Sequence, residues 1–452
     1  MDRCSLERRG IAMNSGRPVS RRRFSGLLGG WSLSLLGPAH SRAATQQPHS
    51  PTDTVDTQTL KVRAGRVIEI LARHVETGYL VGAVALIGRR GHAQVVAVGD
   101  QSLEAARLMQ RDSLFRITSM TKPITAVAAL MLVDEGKLHL GERIDHWLPE
   151  LGRRRVLRHI DSPLDDTVPA RRAITVEDLL TFRCGLGVPP NGSEDSPVQH
   201  RIAQLRLAGF GPPDPASTMP ADEWLGRLGT LPLMAQPGET WLYNTGSDIL
   251  GVLIARVAHK PLPQVLEERI FRPLGMRDTG FVVSHDKRER FVSAYRLESG
   301  RLQPFDEPAA SPWMNAPVFP DAAAGLISTV DDFFAFSHLL LSQGHPGARL
   351  LSAEAVADMT RDHLSATQRA AAAPLIGSRR GWGFGVAVVT ETTPQGIPAG
   401  AYGWNGGFGT SWVADPLSAT SAILFTQTLF TSPMPPAVHQ EFWSAVFSPP
   451  VL

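Results

Sequence analysis

Cysteine is scarce in this sequence, which contains two in 452 residues, Cys4 and Cys184. Cys4 lies in a segment that we expect to be removed, so Cys184 is left without a partner for an internal disulfide. The chain also lacks a C-x-x-C motif, a His-x-x-x-His pair and a carboxylate-rich loop, which are common ways to hold a metal. We therefore expect no disulfide, no metal and no cofactor, and a fold that depends on its apolar core.

Lysine is also rare, with five residues against forty arginines. The formal net charge of +2 is misleading, because residues 1–43 hold eight arginines against one aspartate and one glutamate. Without that segment the net charge of the chain is −4. Net charge therefore gives no reason to expect a nucleic acid or an anionic membrane as a partner.

The first 43 residues have the layout of a signal peptide. A basic start is followed by an apolar stretch over about 26–36, which is too short to span a membrane, and by small residues that end at Ala43. Residues 20–24, "SRRRF", resemble the twin-arginine export signal. We expect cleavage after Ala43 and a periplasmic or secreted protein with no stable membrane insertion.

The rest of the chain places strand-like segments near both ends and helices in the middle. Five segments have the composition and length of strands: 81–88, 93–99, 381–391, 409–416 and 421–429. Helices are expected over 60–77 and about 435–446, and through most of the middle of the chain. We therefore predict an α/β (α+β) fold, in which a five-stranded antiparallel sheet is built from both chain ends and flanked by helices.

The predicted domain organisation follows from this order. After the signal peptide, residues 44–59 are polar and are expected to form a flexible lead-in. A single domain is expected over 60–446. Its α/β part is formed by about 60–120 and 320–446, and a mainly helical part, about 121–319, is inserted between them.

The stretch "FRITSMTKPITAVAALMLVDEG", residues 115–136, has a serine and a lysine three positions apart, Ser119 and Lys122. Residues 124–133 are apolar all round, which predicts a helix buried on every side, and Pro123 suits its first turn. Positions i and i+3 share a helix face, so the two side chains should point the same way. Burial favours the neutral form of an amine, which can take a proton from serine, whereas an arginine cannot. The pattern therefore indicates a nucleophilic serine with a lysine base.

The spacing alone is weak evidence, because Ser284 and Lys287 repeat it. That second pair lies in the polar stretch "SHDKRER" with no apolar helix behind it, so we interpret it as a solvated loop. Two further stretches strengthen the first pair. Tyr243 lies in a loop just before an apolar helix, and the Gly-rich turn at 404–407 lies directly before or within a strand. Taken singly, the tyrosine is more often a packed aromatic and the turn an ordinary tight turn.

Together and in this order, the three stretches resemble the serine β-lactamase / penicillin-binding-protein superfamily. Class C β-lactamases and family VIII carboxylesterases are the closest in motif. The family motifs are Ser-x-x-Lys, Tyr-x-Asn (or a Tyr-x-x variant) and Lys-Thr-Gly (or His/Trp-x-Gly). They read here as Ser119-Met120-Thr121-Lys122, Tyr243-Asn244-Thr245 and Trp404-Asn405-Gly406. The resemblance covers roughly residues 60–446 and implies a β-lactamase/transpeptidase-like fold.

The resemblance also implies a role for each motif residue. Ser119 would attack an acyl carbonyl and become acylated, while Lys122 and Tyr243 would share the proton transfers. The backbone N–H groups of Ser119 and Gly407 would hold the oxyanion. The expected substrate-binding residues are Trp404, Asn405, Gly406 and Thr245.

Two departures from the motifs bear on the substrate. Thr245 stands where an asparagine would contact the amide of a β-lactam or peptide. Trp404 stands where a lysine would attract a carboxylate. Both favour neutral esters, so we expect an exported serine hydrolase that acts as an esterase of small acyl esters, with a small-molecule ester or amide as its partner.

Three alternatives remain. Within the same fold, the chain could be a D-stereospecific peptidase or a weak β-lactamase, or a binding or sensor protein without turnover. A Ser-His-Asp hydrolase is disfavoured, because the sequence has no Gly-x-Ser-x-Gly elbow between a strand and a helix. The sequence makes no prediction of the oligomeric state.

Overall fold

The computed structural model describes residues 51–448 apart from 91, 106, 192–194, 208–210 and 345–348. The predicted signal peptide and the start of the predicted lead-in lie outside the described residues.

The strands in chain order are β1 Gly82–Arg89, β2 His92–Gly99, β3 Phe115–Arg116, β4 Arg155–Leu157, β5 Thr167–Pro169, β6 Ala294–Glu298, β7 Arg301–Asp306, β8 Ile327–Ser328, β9 Arg380–Trp382, β10 Ala387–Val389, β11 Tyr402–Gly406, β12 Thr410–Asp415 and β13 Thr420–Thr426. The helices are α1 Pro51–Glu76, α2 Thr121–Asp134, α3 Val176–Leu180, α4 Pro197–Gln204, α5 Ala221–Gly229, α6 Thr245–Ala258, α7 Leu262–Leu266, α8 Arg272–Leu274, α9 Val330–Leu341, α10 Ala353–Met359, α11 Ala366–Ile376 and α12 Ala437–Phe447.

The main sheet joins the two ends of the described chain. Its strand order is β2-β1-β13-β12-β11-β10-β9, and all neighbouring strands are antiparallel. Strands β1 and β13, from opposite ends of the described chain, pair in a register that sets Ala83 opposite Thr426 and Arg89 opposite Thr420. The predicted fold class, an antiparallel sheet built from both ends and flanked by helices, is therefore confirmed.

The predicted strand number is wrong, since this sheet has seven strands among the described residues and not five. The segment predicted as one strand over 381–391 is two short strands, β9 and β10, that pair with each other. The chain turns between them at Gly385, whose φ of +70° suits glycine. The additional strand is β11, whose last residues belong to the Gly-rich segment 404–407 that was predicted as a turn directly before or within a strand. Trp404 lies opposite Trp412 in the pairing of β11 with β12.

Helices cover both faces of the sheet, and β13 shows how its residues alternate between them. Ala422 and Leu424 pack into the apolar cluster formed with α1 and α12. Ile423 and Phe425 point to the opposite face, where Phe333 of α9 contacts Phe425. This alternation is the period of two expected for a strand buried on both faces.

Helix α1 begins at Pro51, nine residues earlier than predicted, so residues 51–59 of the predicted flexible lead-in are helical. The extension is held by Asp56, which is 3% exposed. Its carboxylate pairs with Arg89 Nε at 3.3 Å and Arg90 Nη1 at 3.5 Å, at the end of β1. A polar composition alone did not reveal this tertiary ion pair.

Helix α2 lies in the large apolar core. Every residue from Thr121 to Leu132 is buried, as the apolar run predicts. A 3-10 turn over Thr118–Met120 leads into it, and Pro123 lies in its first turn. Among the described residues no single helix is long and apolar enough to cross a membrane, although the bent pair Thr245–Ala258 and Leu262–Leu274 passes that test of length and composition jointly.

Candidate active site

Ser119 and Lys122 lie at the head of α2, as predicted. Ser119 sits in the 3-10 turn and is partly exposed, whereas Lys122 is completely buried. The Nζ atom of Lys122 lies 3.1 Å from Ser119 Oγ, within hydrogen-bond distance. The residue before the serine, Thr118, has a φ of +39°, a strained value for a β-branched residue of the kind that often occurs at functional sites.

Lys122 has two further neighbours that carry no charge. Its Nζ donates a hydrogen bond of 2.9 Å to the carbonyl of Ala323. It also lies 4.6 Å from the centroid of the Tyr243 ring, over the electron-rich face. The amine is thus oriented toward Ser119 by a backbone carbonyl and an aromatic ring.

Tyr243 is placed by the strand-like segment that precedes α6. Its backbone N–H and C=O exchange hydrogen bonds of 2.8 and 2.9 Å with Val188. The next residue, Asn244, has a φ of +80°, which turns the chain sharply into α6. The phenol oxygen of Tyr243 accepts a 2.8 Å hydrogen bond from Trp404 Nε1. Tyr243 is therefore held at both its backbone and its hydroxyl.

The motif at 404–407 is the end of β11 and the turn to β12. Gly406 packs against the 3-10 turn so tightly that a Cβ there would lie 2.2 Å from the Ile117 carbonyl oxygen. At Gly407, by contrast, a Cβ would meet nothing within 4 Å. One glycine is required by the packing of the strand against the serine-bearing turn, and the next faces open space.

A cavity of about 710 Å³ lies over these residues. Five of the residues predicted from the motifs line it: Ser119, Tyr243, Trp404, Asn405 and Gly407. Thr245 and Gly406 do not line it, and both are buried. Asn244, the middle residue of the second motif, does line the cavity.

The remaining walls of the cavity are largely apolar and were not predicted. Trp224 and Phe319 pack with their ring centroids 5.0 Å apart. Leu375, Phe408 and Phe430 form other parts of the wall. These wall residues form no recognisable motif in the sequence, because they come from loops and helices that are far apart along the chain.

Two acidic residues near Lys122 were also missed. Asp248 of α6 is 1% exposed, and Asp321 lines the cavity. Burial, and secondarily repulsion by Asp321, raise the pKa of Asp248 well above its usual value, while Lys122 opposes the shift. An aspartate in the first turn of a buried helix, "NTGSDIL", is the only signal of it in the sequence.

The second Ser-x-x-Lys copy is unlike the first, as predicted. Ser284 is exposed, and Lys287 lies in a 3-10 turn over His285–Arg290. The Lys287 ammonium pairs with Asp278 at 3.0 Å. Within the described part of the chain, no group of three or more His, Cys, Asp or Glu residues is arranged to hold a metal ion.

Known proteins resemble this chain over most of its length. The Beta-lactamase family model matches residues 67–440. Protein Rv1367c of Mycobacterium tuberculosis (strain ATCC 25618 / H37Rv) is 41% identical over 364 residues, covering 77% of this chain and 86% of that protein. Esterase EstB of Burkholderia gladioli is 31% identical over 387 residues, covering 81% and 91%. The solved structure of EstCE1, a hydrolase with promiscuous acyltransferase activity, is 27% identical with a TM-score of 0.73, covering 87% of this chain and 100% of that one.

Proposed function

Because this chain belongs to the Beta-lactamase family, we propose that it hydrolyses small acyl esters through an acyl-enzyme formed on Ser119. The family model and the relatives identify a serine hydrolase with an esterase-type function, which confirms the family predicted from the motifs. The observation that carries the proposal is the 3.1 Å approach of Lys122 Nζ to Ser119 Oγ at the wall of a large cavity.

In the proposed acylation, Ser119 Oγ attacks the ester carbonyl while its proton passes to the Lys122 amine. The carbonyl oxygen becomes an oxyanion, which the backbone N–H groups of Ser119 and Gly407 stabilise. Donors of this kind commonly contribute about 10²–10³ in rate. Collapse of the intermediate breaks the ester C–O bond, and the leaving alcohol takes a proton from Lys122 or Tyr243.

In the proposed deacylation, a water molecule replaces the alcohol. It gives up a proton to the Lys122 and Tyr243 pair and attacks the acyl carbon. The second intermediate breaks the bond to Ser119 Oγ, which regains its proton. The 2.8 Å hydrogen bond from Trp404 supports this role, because it orients the Tyr243 hydroxyl for proton transfer.

The preference for esters over lactams and D-peptides is supported by the third motif. Trp404 adds no positive charge to the cavity, and its one donor is engaged by Tyr243. Thr245 is buried away from the cavity and offers no amide for a peptide or lactam side chain. The apolar wall around Trp224 and Phe319 favours an uncharged substrate.

Labelling with a fluorophosphonate tests the nucleophile. Mass spectrometry should find the adduct on the peptide that contains Ser119, and Ser119→Ala should abolish both the adduct and the esterase activity. Ser284→Ala, in the other Ser-x-x-Lys copy, is the matched control and should retain both. An adduct at any other residue contradicts the assignment.

A substrate panel tests the reaction. Nitrophenyl esters of increasing chain length, a chromogenic cephalosporin and D-Ala-D-Ala peptides should show rapid turnover of the esters alone. Rapid cephalosporin or peptide turnover without ester hydrolysis would identify a β-lactamase or a peptidase. Stable labelling of Ser119 without turnover of any substrate would identify a binding or sensor protein.

We also propose that residues 1–43 direct twin-arginine export. The support is the "SRRRF" stretch, the apolar run and the small residues that follow. N-terminal sequencing of the exported protein should place the cleavage after Ala43. Replacing Arg21 and Arg22 by lysine should leave the protein uncleaved inside the cell; normal export of that variant would rule out this route.

A further inference from the structure

Two carboxyl groups meet beside the proposed base. The backbone N–H of Ala323 donates to Asp248 Oδ1 at 3.2 Å and to Asp321 Oδ1 at 2.8 Å. The N–H of Ala324 donates to the same oxygen of Asp321 at 2.6 Å. A single shared donor therefore holds the buried Asp248 close to Asp321, which lines the cavity.

Asp248 is poorly placed to carry a negative charge. Its Oδ2 atom is buried and has no hydrogen-bond partner within the described part of the chain. The charged groups that face it among the described residues are Asp321 and Lys122. Burial and the neighbouring Asp321 disfavour its ionised form more strongly than Lys122 and the hydrogen bond from the Ala323 N–H favour it. Two carboxyl groups that share a donor and interact with each other do not both ionise readily.

We propose that Asp248 is a positioning residue that stays protonated and shares its proton with Asp321. The pair then carries one negative charge and fixes the segment 321–326 beside Lys122. This inference rests on the proposed function in one respect, since it takes Lys122 as the base.

The segment 321–326 is hydrogen-bonded to helices on two sides. On one side it is bound to the first turns of α2 by three hydrogen bonds: Lys122 Nζ to the Ala323 carbonyl at 2.9 Å, Thr125 Oγ1 to the Ala322 carbonyl at 2.8 Å, and the Leu326 N–H to Thr121 Oγ1 at 3.2 Å. On the other side Asp248 binds it to α6 through the Ala323 N–H. The residue whose carbonyl orients Lys122 is therefore held at its own N–H by Asp248.

The shared proton has a consequence for catalysis. A second negative charge facing Lys122 would favour its ammonium form, which cannot accept a proton from Ser119. With one proton between the two carboxyl groups, Asp248 can anchor Ala323 without adding that charge. Asp248→Asn reproduces the protonated acid, because its amide oxygen can accept from Ala323 and its NH₂ group can donate to Asp321.

Infrared spectroscopy tests the proton directly. Spectra of the wild-type protein at pH 8, above the pKa of about 6 to which burial raises Asp332, should show the C=O band of a protonated carboxylic acid. The band should be absent from Asp248→Asn. It should persist in Asp214→Asn, the matched control at another acidic residue of the cavity wall. Absence of the band from the wild-type protein overturns the proposal.

Kinetics test the positioning role. The decrease of kcat/KM toward low pH should occur at the same pH in Asp248→Asn and in the wild type. The kcat of Asp248→Asn should exceed that of Asp248→Ala by about tenfold, which is the loss expected for one buried hydrogen bond. If Asp248 is instead an ionised partner of Lys122, Asp248→Asn shifts the decrease of kcat/KM by about one pH unit or more, which overturns the proposal. Equal kcat values for the two variants also overturn it. Failure to label Ser119 would refute the proposed function but leave the infrared band unaffected, so the two failures are distinguishable.

Discussion

Gly406→Ala should lower both the stability and the activity of the protein, because β11 lies directly against the turn that carries Ser119. The added methyl carbon would lie 2.2 Å from the Ile117 carbonyl oxygen, 2.3 Å from Thr410 Oγ1 and 2.6 Å from Thr118 Oγ1. All three distances are far below van der Waals contact, so the strand or the turn must move. Ile117 and Thr118 directly precede Ser119, so Ser119 would move with them.

The expected losses of stability and of activity both follow from this overlap. Overpacking of this kind costs about 1–3 kcal/mol of the free energy of unfolding. In a protein of this size that corresponds to a decrease in Tm of about 1–4 °C. A displacement of about 1 Å at a reacting group can lower kcat by about 10²-fold. We therefore expect Gly406→Ala to fold, to melt a few degrees early and to lose most of its esterase activity.

Gly407→Ala is the matched control for stability. Its Cβ meets no atom within 4 Å, so its Tm should equal that of the wild type, and any loss of activity would come from the methyl group in the cavity. The assay is thermal melting by circular dichroism together with nitrophenyl ester hydrolysis. If Gly406→Ala has the Tm and kcat of the wild type, the strand does not lie against the turn as described, and the reasoning is refuted.

Three other predictions address the site and the core. Trp404→Phe removes the donor to the Tyr243 hydroxyl and should lower kcat for a nitrophenyl ester about tenfold without changing the circular dichroism spectrum; unchanged kcat would contradict the orienting role. Burial raises the pKa of Asp332 to about 6, so the folded state binds a proton that the unfolded state has lost between about pH 4 and 6. The free energy of unfolding should therefore decrease by up to about 3 kcal/mol as pH rises through that range, and urea titrations of Asp332→Asn should not show this decrease. Burial raises the pKa of the Cys184 thiol to about 12. In a Cys4→Ser variant, iodoacetamide at pH 8 should therefore modify Cys184 only after denaturation. Rapid labelling of the native protein would contradict the burial of Cys184.

Much of the fold was predictable because its signals are local. The apolar run at 124–133 predicted α2, and the strand-like segments near both ends predicted the antiparallel sheet. The errors occurred where tertiary contacts override local composition. The polar start of α1 is helical since Asp56 pairs with two arginines of another segment. Residues 402–406 form a strand that was not counted among the five, because β12 pairs with them, and the predicted Gly-rich turn follows at their end.

Ser119, Lys122, Tyr243 and the turn at 404–407 were identifiable as a set, since each motif is short and lies within one segment. The structure brings these three motifs together at one cavity. Thr245 was expected to bind substrate, but it is buried and does not line the cavity, because Asn244 adopts a positive φ and the helix that follows carries Thr245 into the interior. A backbone angle of that kind has no reliable signature at an asparagine.

The sequence by itself determined the family, the positions of its three motifs and the buried helix whose head carries Ser119 and Lys122. Motif spacing is a property of one segment, and its consequences follow from helix geometry alone. Only the tertiary structure decided which groups surround Lys122: the Ala323 carbonyl, the Tyr243 ring and the pair of Asp248 and Asp321. These groups are separated from Lys122 by more than a hundred residues, and the electrostatic environment of a buried amine depends on distances in space.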